Sequence, residues 1–401
     1  MSNERNVKKL KNKLMDFYIE REHKIKKIAK ISIVLIVIIA IISLITIYIK
    51  EQKFRTWVDI NIFRKNINTT DIASIDLATN KNNQIYCYGK NICILNDKNL
   101  KVYSSSGQET SNISVDINTA LFASKEKYLA IAEKNGKNIC VIFDKTFLWK
   151  QQVDGEILQI AVNQNGYVAV VTTDTTYKSI IILYDQNGKS VLKNYLSSSR
   201  VIDVSISNDN KYVAFAELDT AGATIQSNIK IISVDEALKK PEEAIIYTYN
   251  SDNSKMVVNI NYQDKGILAC TFDDSVEIIN QKNHEKKLDI EKNYTFISCD
   301  LNNAIAYIKE ESTGIFNSKS TVNIVNTSNN QQNVYDIDEV IKEMYAYKDI
   351  VGINVGTEIY FINTNGMLVK KYNSKQEITN VIMSDNLAII IYKDKIEIID
   401  L

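Results

Sequence analysis

Hydrophobic and polar residues alternate along most of the chain in a phrase that recurs eight times. In each copy, a turn rich in Asn, Asp or Ser precedes an apolar strand with a small residue, and a second strand follows. The second strands end at Asp97, Asp144, Asp185, Asp235, Asn280, Asn326, Asn363 and Asp400. Their mean spacing of about 43 residues is typical of four-stranded propeller blades. Alternation with a period of two, in segments rich in Ile, Val, Tyr and Phe, predicts strands rather than helices.

The small residue within the first strand of each phrase keeps the same spacing. It occurs at Ala130, Ala169, Ala214, Ala269, Ala306, Gly352 and Ala388. Stacked blades need room for the larger side chains of their neighbours, so these positions are predicted to lie in the core. One whole blade is predicted within 201–249, with strands VIDVSIS, KYVAFAEL, IKIISVD and AIIYTY from the inside outwards.

The last phrase has only three predicted strands, at 378–384, 387–392 and 395–400. A surplus alternating segment, WVDINIF at 57–63, precedes the first phrase, which begins near Ile72. A closed ring avoids an unpaired sheet edge, so we expect this N-terminal strand to complete the last blade. The predicted fold is an all-β, eight-bladed β-propeller; seven blades remain the alternative if the weak unit 72–103 is irregular.

Before these phrases lies one long apolar segment, Ile31 to Ile49, without a charged residue. As a helix it would be roughly 28 Å long, enough to cross a bilayer. A cleaved signal peptide is the alternative, but the run exceeds the usual length and KEQKFR at 50–55 offers no small-residue cleavage site. We therefore predict an uncleaved, single-pass transmembrane helix.

Lysines 24, 26, 27 and 30 crowd the N-terminal edge of this segment, which predicts that the N-terminus lies in the cytoplasm and the bulk outside. The expected layout is a basic cytoplasmic tail (1–30), a transmembrane helix (31–49), a tether (50–56) and an extracytoplasmic propeller (57–401). This layout places the protein in the cytoplasmic membrane. A bacterial source is expected because richness in Ile, Asn and Lys is typical of AT-rich bacterial genomes.

Charge changes this picture little. The chain has 48 basic and 48 acidic residues, yet residues 1–30 hold ten Lys or Arg against four acids. The remainder is therefore slightly acidic, which argues against nucleic-acid binding. Only one Pro and 12 Gly occur, so the turns are expected to depend on Asn, Asp and Ser.

Two segments carry a resemblance to known propellers. IIILYDQNGKSVLKNY at 180–195 resembles a quinoprotein-type strand pair, and SNDNKYVAFAE at 207–217 resembles a WD40 repeat. The arrangement as a whole resembles an uncharacterised bacterial family of membrane-anchored β-propellers. The resemblance implies fold and topology, while the function of that family is unknown. Quinone binding is not implied, since only Trp57 and Trp149 are present; no cofactor is expected.

Catalytic motifs are not recognisable. His23 and His284 have no partner at metal-ligand spacing, and no nucleophile or phosphate-loop motif occurs, so neither a catalytic residue nor a metal site is predicted. The five cysteines fall in predicted strands, where free buried thiols are favoured over a Cys87–Cys93 bridge. A glycosidase would need two carboxylates facing each other across the ring.

Long connections between second and third strands are the best candidates for binding, because loops on a rigid scaffold often carry function. Three are long, at 172–179, 217–228 and 309–321. The candidate contacts are Asp174, Tyr177, Asp219, Thr220, Thr224, Gln226, Glu310 and Phe316. The alternative is that these are solvated loops of variable length.

The leading hypothesis is a non-enzymatic binding or scaffolding module for a protein, peptide or glycan of the cell envelope. A carboxylate-dependent hydrolase or lyase acting on an envelope polysaccharide is one alternative. A transmembrane sensor that uses the cytoplasmic tail is another.

Overall fold

The N-terminal segment folds into two helices. The computed structural model describes residues 2–67, 72–78, 82–220, 225–251, 255–280, 283–290, 294–312 and 318–401, and the chain divides into two compact units, Met1–Arg64 and Lys65–Leu401. Helix α1 (Ser2–Lys50) and helix α2 (Gln52–Asn61) are separated by Glu51, whose backbone is extended. The segment Lys26–Lys50 is long and apolar enough to cross a membrane, and its most apolar 18 residues have a mean hydropathy of 3.0. A signal sequence would meet the same criterion.

The predicted closing strand at 57–63 is wrong. Most of it lies in α2, where Val58 and Asp59 are buried, and Asp59 accepts a hydrogen bond of 2.7 Å from the Tyr48 hydroxyl. A short apolar run does not distinguish strand from helix by periodicity. In this segment the spacing of Phe54, Val58 and Ile62 also suits one side of a helix.

In the second unit, the described strands form a ring of eight blades. Two short strands come first in the sequence, β1 (Asn66–Ile67) and β2 (Ala73–Asp76). Blade 1 contains β3 (Gln84–Tyr88), β4 (Asn91–Asn96), β5 (Asn99–Tyr103) and β6 (Glu109–Ser114). Blade 2 contains β7 (Ala120–Lys125), β8 (Tyr128–Glu133), β9 (Asn138–Phe143) and β10 (Thr146–Gln152). Blade 3 contains β11 (Glu156–Val162), β12 (Val168–Thr173), β13 (Ser179–Tyr184) and β14 (Ser190–Leu196).

The next three blades repeat this order. Blade 4 contains β15 (Ser199–Ile206), β16 (Tyr212–Asp219), β17 (Gln226–Ser233) and β18 (Ile245–Asn250), with the short helix α3 (Val234–Lys239) before its last strand. Blade 5 contains β19 (Val257–Tyr262), β20 (Ile267–Phe272), β21 (Ser275–Asn280) and β22 (Asn283–Asp289). Blade 6 contains β23 (Tyr294–Ser298), β24 (Ala304–Ser312), β25 (Ser318–Asn326) and β26 (Gln332–Ile337).

The last two blades include the early strands. Blade 7 contains β27 (Glu343–Tyr347), β28 (Ile350–Asn354), β29 (Glu358–Asn363) and β30 (Leu368–Asn373), with β1 added in parallel as a fifth strand. Blade 8 contains β31 (Asn380–Ser384), β32 (Leu387–Ile391) and β33 (Lys395–Asp400), and β2 completes it. Eight sheets among the described residues confirm the eight-bladed prediction over seven.

The ring is closed by an N-terminal strand, but not by the one predicted. Strand β2 pairs antiparallel with β33, so that Ala73 faces Ile398 and Asp76 faces Lys395. Residues near Ile72 therefore belong to the last blade rather than to the first. The first blade begins at Gln84 and is regular. The Ser384 hydroxyl donates to the Gly89 carbonyl at 2.8 Å and joins blade 8 to blade 1.

The small residues of the repeat lie in the core, as predicted. Six are alanines with 0% of their surface exposed: Ala130, Ala169, Ala214, Ala269, Ala306 and Ala388. The seventh, Gly352, is also buried, and a Cβ there would lie 3.3 Å from the Met383 sulfur in the next blade. A larger side chain at these positions would collide with a neighbouring sheet.

Turns and cysteines also follow the prediction. Asp97, Asn135, Asp144, Asn210, Asn330 and Asn386 have positive φ, a conformation that Asn and Asp tolerate. All five cysteines are buried and free. Cys87 and Cys93 pack into different apolar clusters, on opposite sides of blade 1, so the bridge considered between them is not formed.

Candidate functional site

The predicted binding loops share one face of the ring. This loop face carries the connections between second and third strands and between successive blades; the opposite turn face carries the connections from first to second and from third to fourth strands. At the loop face of blade 3, the Asp174 carboxylate accepts backbone hydrogen bonds of 2.7 Å from both Thr176 and Tyr177. Asp174 thus holds its own turn. The ring of Tyr177 lies 4.9 Å from that of Tyr195, which is half exposed.

Blades 3 and 4 are tied together at this face. The Lys178 ammonium donates hydrogen bonds of 3.0 Å to the Thr220 hydroxyl and to the Ser198 carbonyl. In blade 4, Asp219 pairs with Gln226 across the hairpin, and the Gln226 side chain donates to the next interblade connection. Asp174, Tyr177, Asp219, Thr220 and Gln226 therefore lie on two adjacent blades.

The remaining predicted contacts are separate. Glu310 is exposed on β24 of blade 6, two blades away from blade 4. Thr224 and Phe316 lie outside the described residues.

Exposed apolar side chains accompany these polar groups on the loop face. Ile225 is 55% exposed beside Gln226, and Met256 and Val258 are about half exposed where blade 5 begins. The backbone N–H of Val257 donates to the Ser227 hydroxyl, which brings these two segments together. These apolar residues are not among the contacts predicted from the sequence.

A second candidate site lies inside the ring. A cavity of about 600 Å³ occupies the central channel, and all eight inner strands contribute to its lining. It lies nearer the turn face, because Lys125, Asn163 and Lys348 are at or just beyond the ends of their inner strands. The other charged lining residues are Asp203 and Asp300.

Asp203 lies at a bulge in β15 and points across the blade boundary. Its carboxylate accepts hydrogen bonds from the backbone N–H groups of Ile260 at 2.8 Å and Val204 at 2.9 Å. The side-chain amide of Gln159 in blade 3 also donates to it, at 2.9 Å. Burial raises the pKa of Asp203 to about 6, although these donors oppose the shift. The carboxylate thus joins three successive blades.

Lys125 and Asp300 face the same cavity from blades 2 and 6. Burial raises the pKa of the Asp300 carboxyl, which accepts a hydrogen bond of 2.9 Å from the Ser298 hydroxyl. Burial also lowers the pKa of the Lys125 ammonium, while the charge of Asp300 opposes that change. Asp300 is enclosed by the ring yet borders the open volume of the channel, so water-sized molecules reach it.

The turn-face end of the channel is crossed by an ion network. The Lys348 ammonium of blade 7 lies 2.8 Å from Glu126 in blade 2 and 2.5 Å from Asp385 in blade 8. Burial lowers the pKa of Lys348, but the two carboxylates outweigh it, and the pKa lies above its usual value. The Lys348 carbonyl also accepts a backbone hydrogen bond from Asn302 of blade 6.

None of the charged residues of the channel is among the contacts predicted from the sequence. Lys125 is the last residue of its inner strand and Asp300 lies two residues beyond the end of its own, so a polar residue near that repeat position was the available signal. His284, for which no partner was predicted, lies 2.6 Å from the buried Glu277. Among the described residues, no group of three or more His, Cys, Asp or Glu is arranged to hold a metal ion.

Comparison with known proteins identifies a family. Residues 63–401 match the family described as "Family of unknown function (DUF5711)". Comparison with curated protein sequences gives no match.

Several solved structures have a similar fold. BamB from Moraxella catarrhalis has 12% identity and a TM-score of 0.50, and the match covers 83% of this chain and 99% of that one. The C-terminal WD40 domain of Sif2 has 10% identity, a TM-score of 0.56 and coverages of 82% and 99%. Chaetomium thermophilum Sqt1, solved with the N-terminus of ribosomal protein L10 bound, has 11% identity, a TM-score of 0.53 and the same coverages. At such identities the likeness concerns the fold alone.

Proposed function

The chain belongs to this family of unknown function, and we propose that it is a membrane-anchored binding or scaffolding propeller that captures a protein or peptide on its loop face. The observation that carries the proposal is the loop face of blades 3 to 5. There, the described residues place half-exposed aromatic and aliphatic groups, including Tyr195 and Ile225, beside polar ones. Protein–protein interfaces are enriched in aromatic side chains such as Tyr.

The anchor supports a location at a membrane surface. The segment Lys26–Lys50 has the length and hydropathy of a spanning helix, and its basic N-terminal flank favours a cytoplasmic N-terminus. In this proposal the propeller stands on the outer side of the cytoplasmic membrane, where envelope proteins, peptides and glycans are the available ligands. A propeller held there by one helix would gather its partner at the membrane.

The fold supports binding in general terms. Sqt1, a ring of comparable build, was solved with the N-terminal segment of another protein bound. In that complex a propeller of similar fold holds a terminal segment of another protein.

Catalysis by channel carboxylates has less support. Asp203 and Asp300 line one cavity, as a carboxylate-dependent hydrolase would require. However, both oxygens of Asp203 already accept hydrogen bonds from Gln159, Val204 or Ile260. A carboxylate committed in this way joins blades and is poorly placed to exchange protons with a substrate.

Site-specific photocrosslinking in native membranes tests the proposal. A photoreactive residue would replace Tyr177, Thr220 or Ile225 in the full chain, and Lys211 or Asn187 on the turn face would serve as matched exposed controls. We expect the same discrete crosslinked partner from all three loop-face positions and from neither control. Crosslinks of equal intensity from both faces, or none from the loop face, would contradict the proposal.

A further inference from the structure

The charged groups of the channel cavity divide into those that the protein satisfies and those that it does not. Lys348 has two carboxylate partners, Glu126 and Asp385. Asp203 receives three hydrogen bonds. Neither group therefore requires a ligand.

Lys125 and Asp300 remain. Lys125 forms no hydrogen bond or salt bridge with any residue that the structure describes, although burial disfavours its charge. Asp300 is held by the Ser298 hydroxyl and its own backbone turn, and no cation pairs with it within the described part of the chain. Each of the two side chains favours the charged form of the other, yet they are too far apart for a salt bridge.

An ammonium and a carboxylate separated across a cavity match a ligand that carries both opposite charges. We propose that the channel binds a small zwitterion of the amino-acid class, with its carboxylate against Lys125 and its ammonium against Asp300. Such a ligand leaves the charge of the cavity unchanged and gives each of the two groups an oppositely charged partner, which neither has within the described part of the chain. An ion of either sign alone would satisfy one group and leave the other unpaired.

The size and the walls of the cavity agree with this class. At about 600 Å³ it has room for an amino acid with a large side chain or for a dipeptide. Tyr86 and Phe122 stack at 5.1 Å along one wall, and Ile160, Ile260 and Met383 supply apolar surface elsewhere. These groups would receive the side chain of the ligand. The inference does not depend on the proposed loop-face function.

A series of probes on the unaltered protein decides the proposal. The full chain, purified in detergent, would be titrated by calorimetry with glycine, L-leucine, glycyl-leucine, β-alanine and 4-aminobutanoate. Propionate, propylamine and glucose would serve as probes that lack one or both charges. We expect at least one zwitterion to bind about tenfold or more tightly than every one of these three controls. The best spacing between the charges then measures the gap between Lys125 and Asp300.

Variants then test the assignment of the two residues. Lys125→Met and Asp300→Asn should each weaken binding of the best zwitterion by about tenfold or more. Lys127→Met, two residues along the same turn and exposed, and Asp154→Asn, with 97% of its side chain exposed, are matched controls that should leave binding unchanged. Circular dichroism would confirm that each variant is folded.

The proposal fails if no zwitterion binds the unaltered protein, or if propionate, propylamine or glucose binds as tightly. It also fails if folded Lys125→Met and Asp300→Asn both bind like the unaltered protein. Because the probe series needs no variant, an unfolded variant does not prevent a decision.

Discussion

The Asp203 carboxylate accepts a hydrogen bond of 2.8 Å from the backbone N–H of Ile260, across the boundary between blades 4 and 5. Most backbone hydrogen bonds of a propeller run within a blade, so adjacent blades depend mainly on apolar packing. A side chain that accepts a hydrogen bond from a backbone N–H group of the next blade adds a directional contact to that packing. Ser205 repeats the contact two residues on, where its hydroxyl oxygen accepts from the Tyr262 N–H at 2.9 Å.

Replacing Asp203 by Asn tests this interblade contact. The amide would present N–H groups to one of three donors, so at least one buried donor would lose its acceptor. We expect Asp203→Asn to lower the free energy of unfolding by about 1–3 kcal/mol. Denaturant titration measures this change. Asp154→Asn, at an exposed position, should change it by less than about 0.5 kcal/mol, and equal effects of the two substitutions would contradict the role assigned to Asp203.

The same carboxylate predicts a pH dependence. Because its folded-state pKa of about 6 lies above the ordinary value of 3.8, the native state binds the proton more tightly than the unfolded chain. The contribution of Asp203 to stability is then greatest below about pH 4 and is lost as pH rises through about 6. The stability advantage of the wild type over Asp203→Asn should therefore shrink between about pH 4 and about pH 7, by at most about 3 kcal/mol. An advantage that grows with pH would contradict the shift.

Gly352 offers a test of the packing between blades 7 and 8. Its missing Cβ would lie 3.3 Å from the Met383 sulfur and 3.6 Å from Phe361. Leu at this position has no space, so Gly352→Leu should destabilise the protein by about 1–3 kcal/mol. In a double-mutant cycle, Met383→Ala should recover part of that loss, because it removes the neighbour that collides. Purely additive effects would show that the two residues do not share this contact.

Much of the fold could be predicted because its constraints are local and repeated. Ala214 or Ala269 alone carries little information. Seven small residues that recur at the same spacing as eight strand ends predict both the structure of a blade and the number of blades. The closing strand could not be identified in this way. Ala73–Asp76 is a four-residue segment, and its partner strand β33 lies more than 300 residues further along the sequence. Residues 57–63 had the stronger alternating pattern and belong largely to a helix.

The candidate site was less predictable, for a physical reason. Loop length indicated where Tyr177 and Thr220 lie, because a long connection must project from the scaffold. The channel residues lie on strands of ordinary length or just beyond their ends, and Lys125 occurs in a turn-like SKEK segment that resembles many solvated turns. Only the circular arrangement of blades brings Lys125 of blade 2 to the same cavity as Asp300 of blade 6.

Tyr177 should contribute to partner capture more than to stability. Its ring contacts Tyr195 at 4.9 Å but is only partly buried, so Tyr177→Ala should cost about 1 kcal/mol or less of stability. Removal of a large aromatic group from the loop face should instead reduce the crosslink formed from Thr220 by several fold. Phe147→Ala is the matched control, since Phe147 is 42% exposed on the outermost strand of blade 2. A loss of the crosslink with both substitutions would point to a general defect.

Cysteine labelling in intact cells tests the orientation in the membrane. All five native cysteines are buried and free, so a membrane-impermeant maleimide should give little background with the folded protein. Asp154→Cys places a thiol at a fully exposed site of the propeller, and Lys24→Cys places one before the apolar segment. If the propeller stands outside, intact cells should label only Asp154→Cys, and Lys24→Cys should react after the membrane is permeabilised. Labelling of Lys24→Cys alone in intact cells would reverse the orientation, and secretion of a shortened, labelled chain would identify the helix as a cleaved signal.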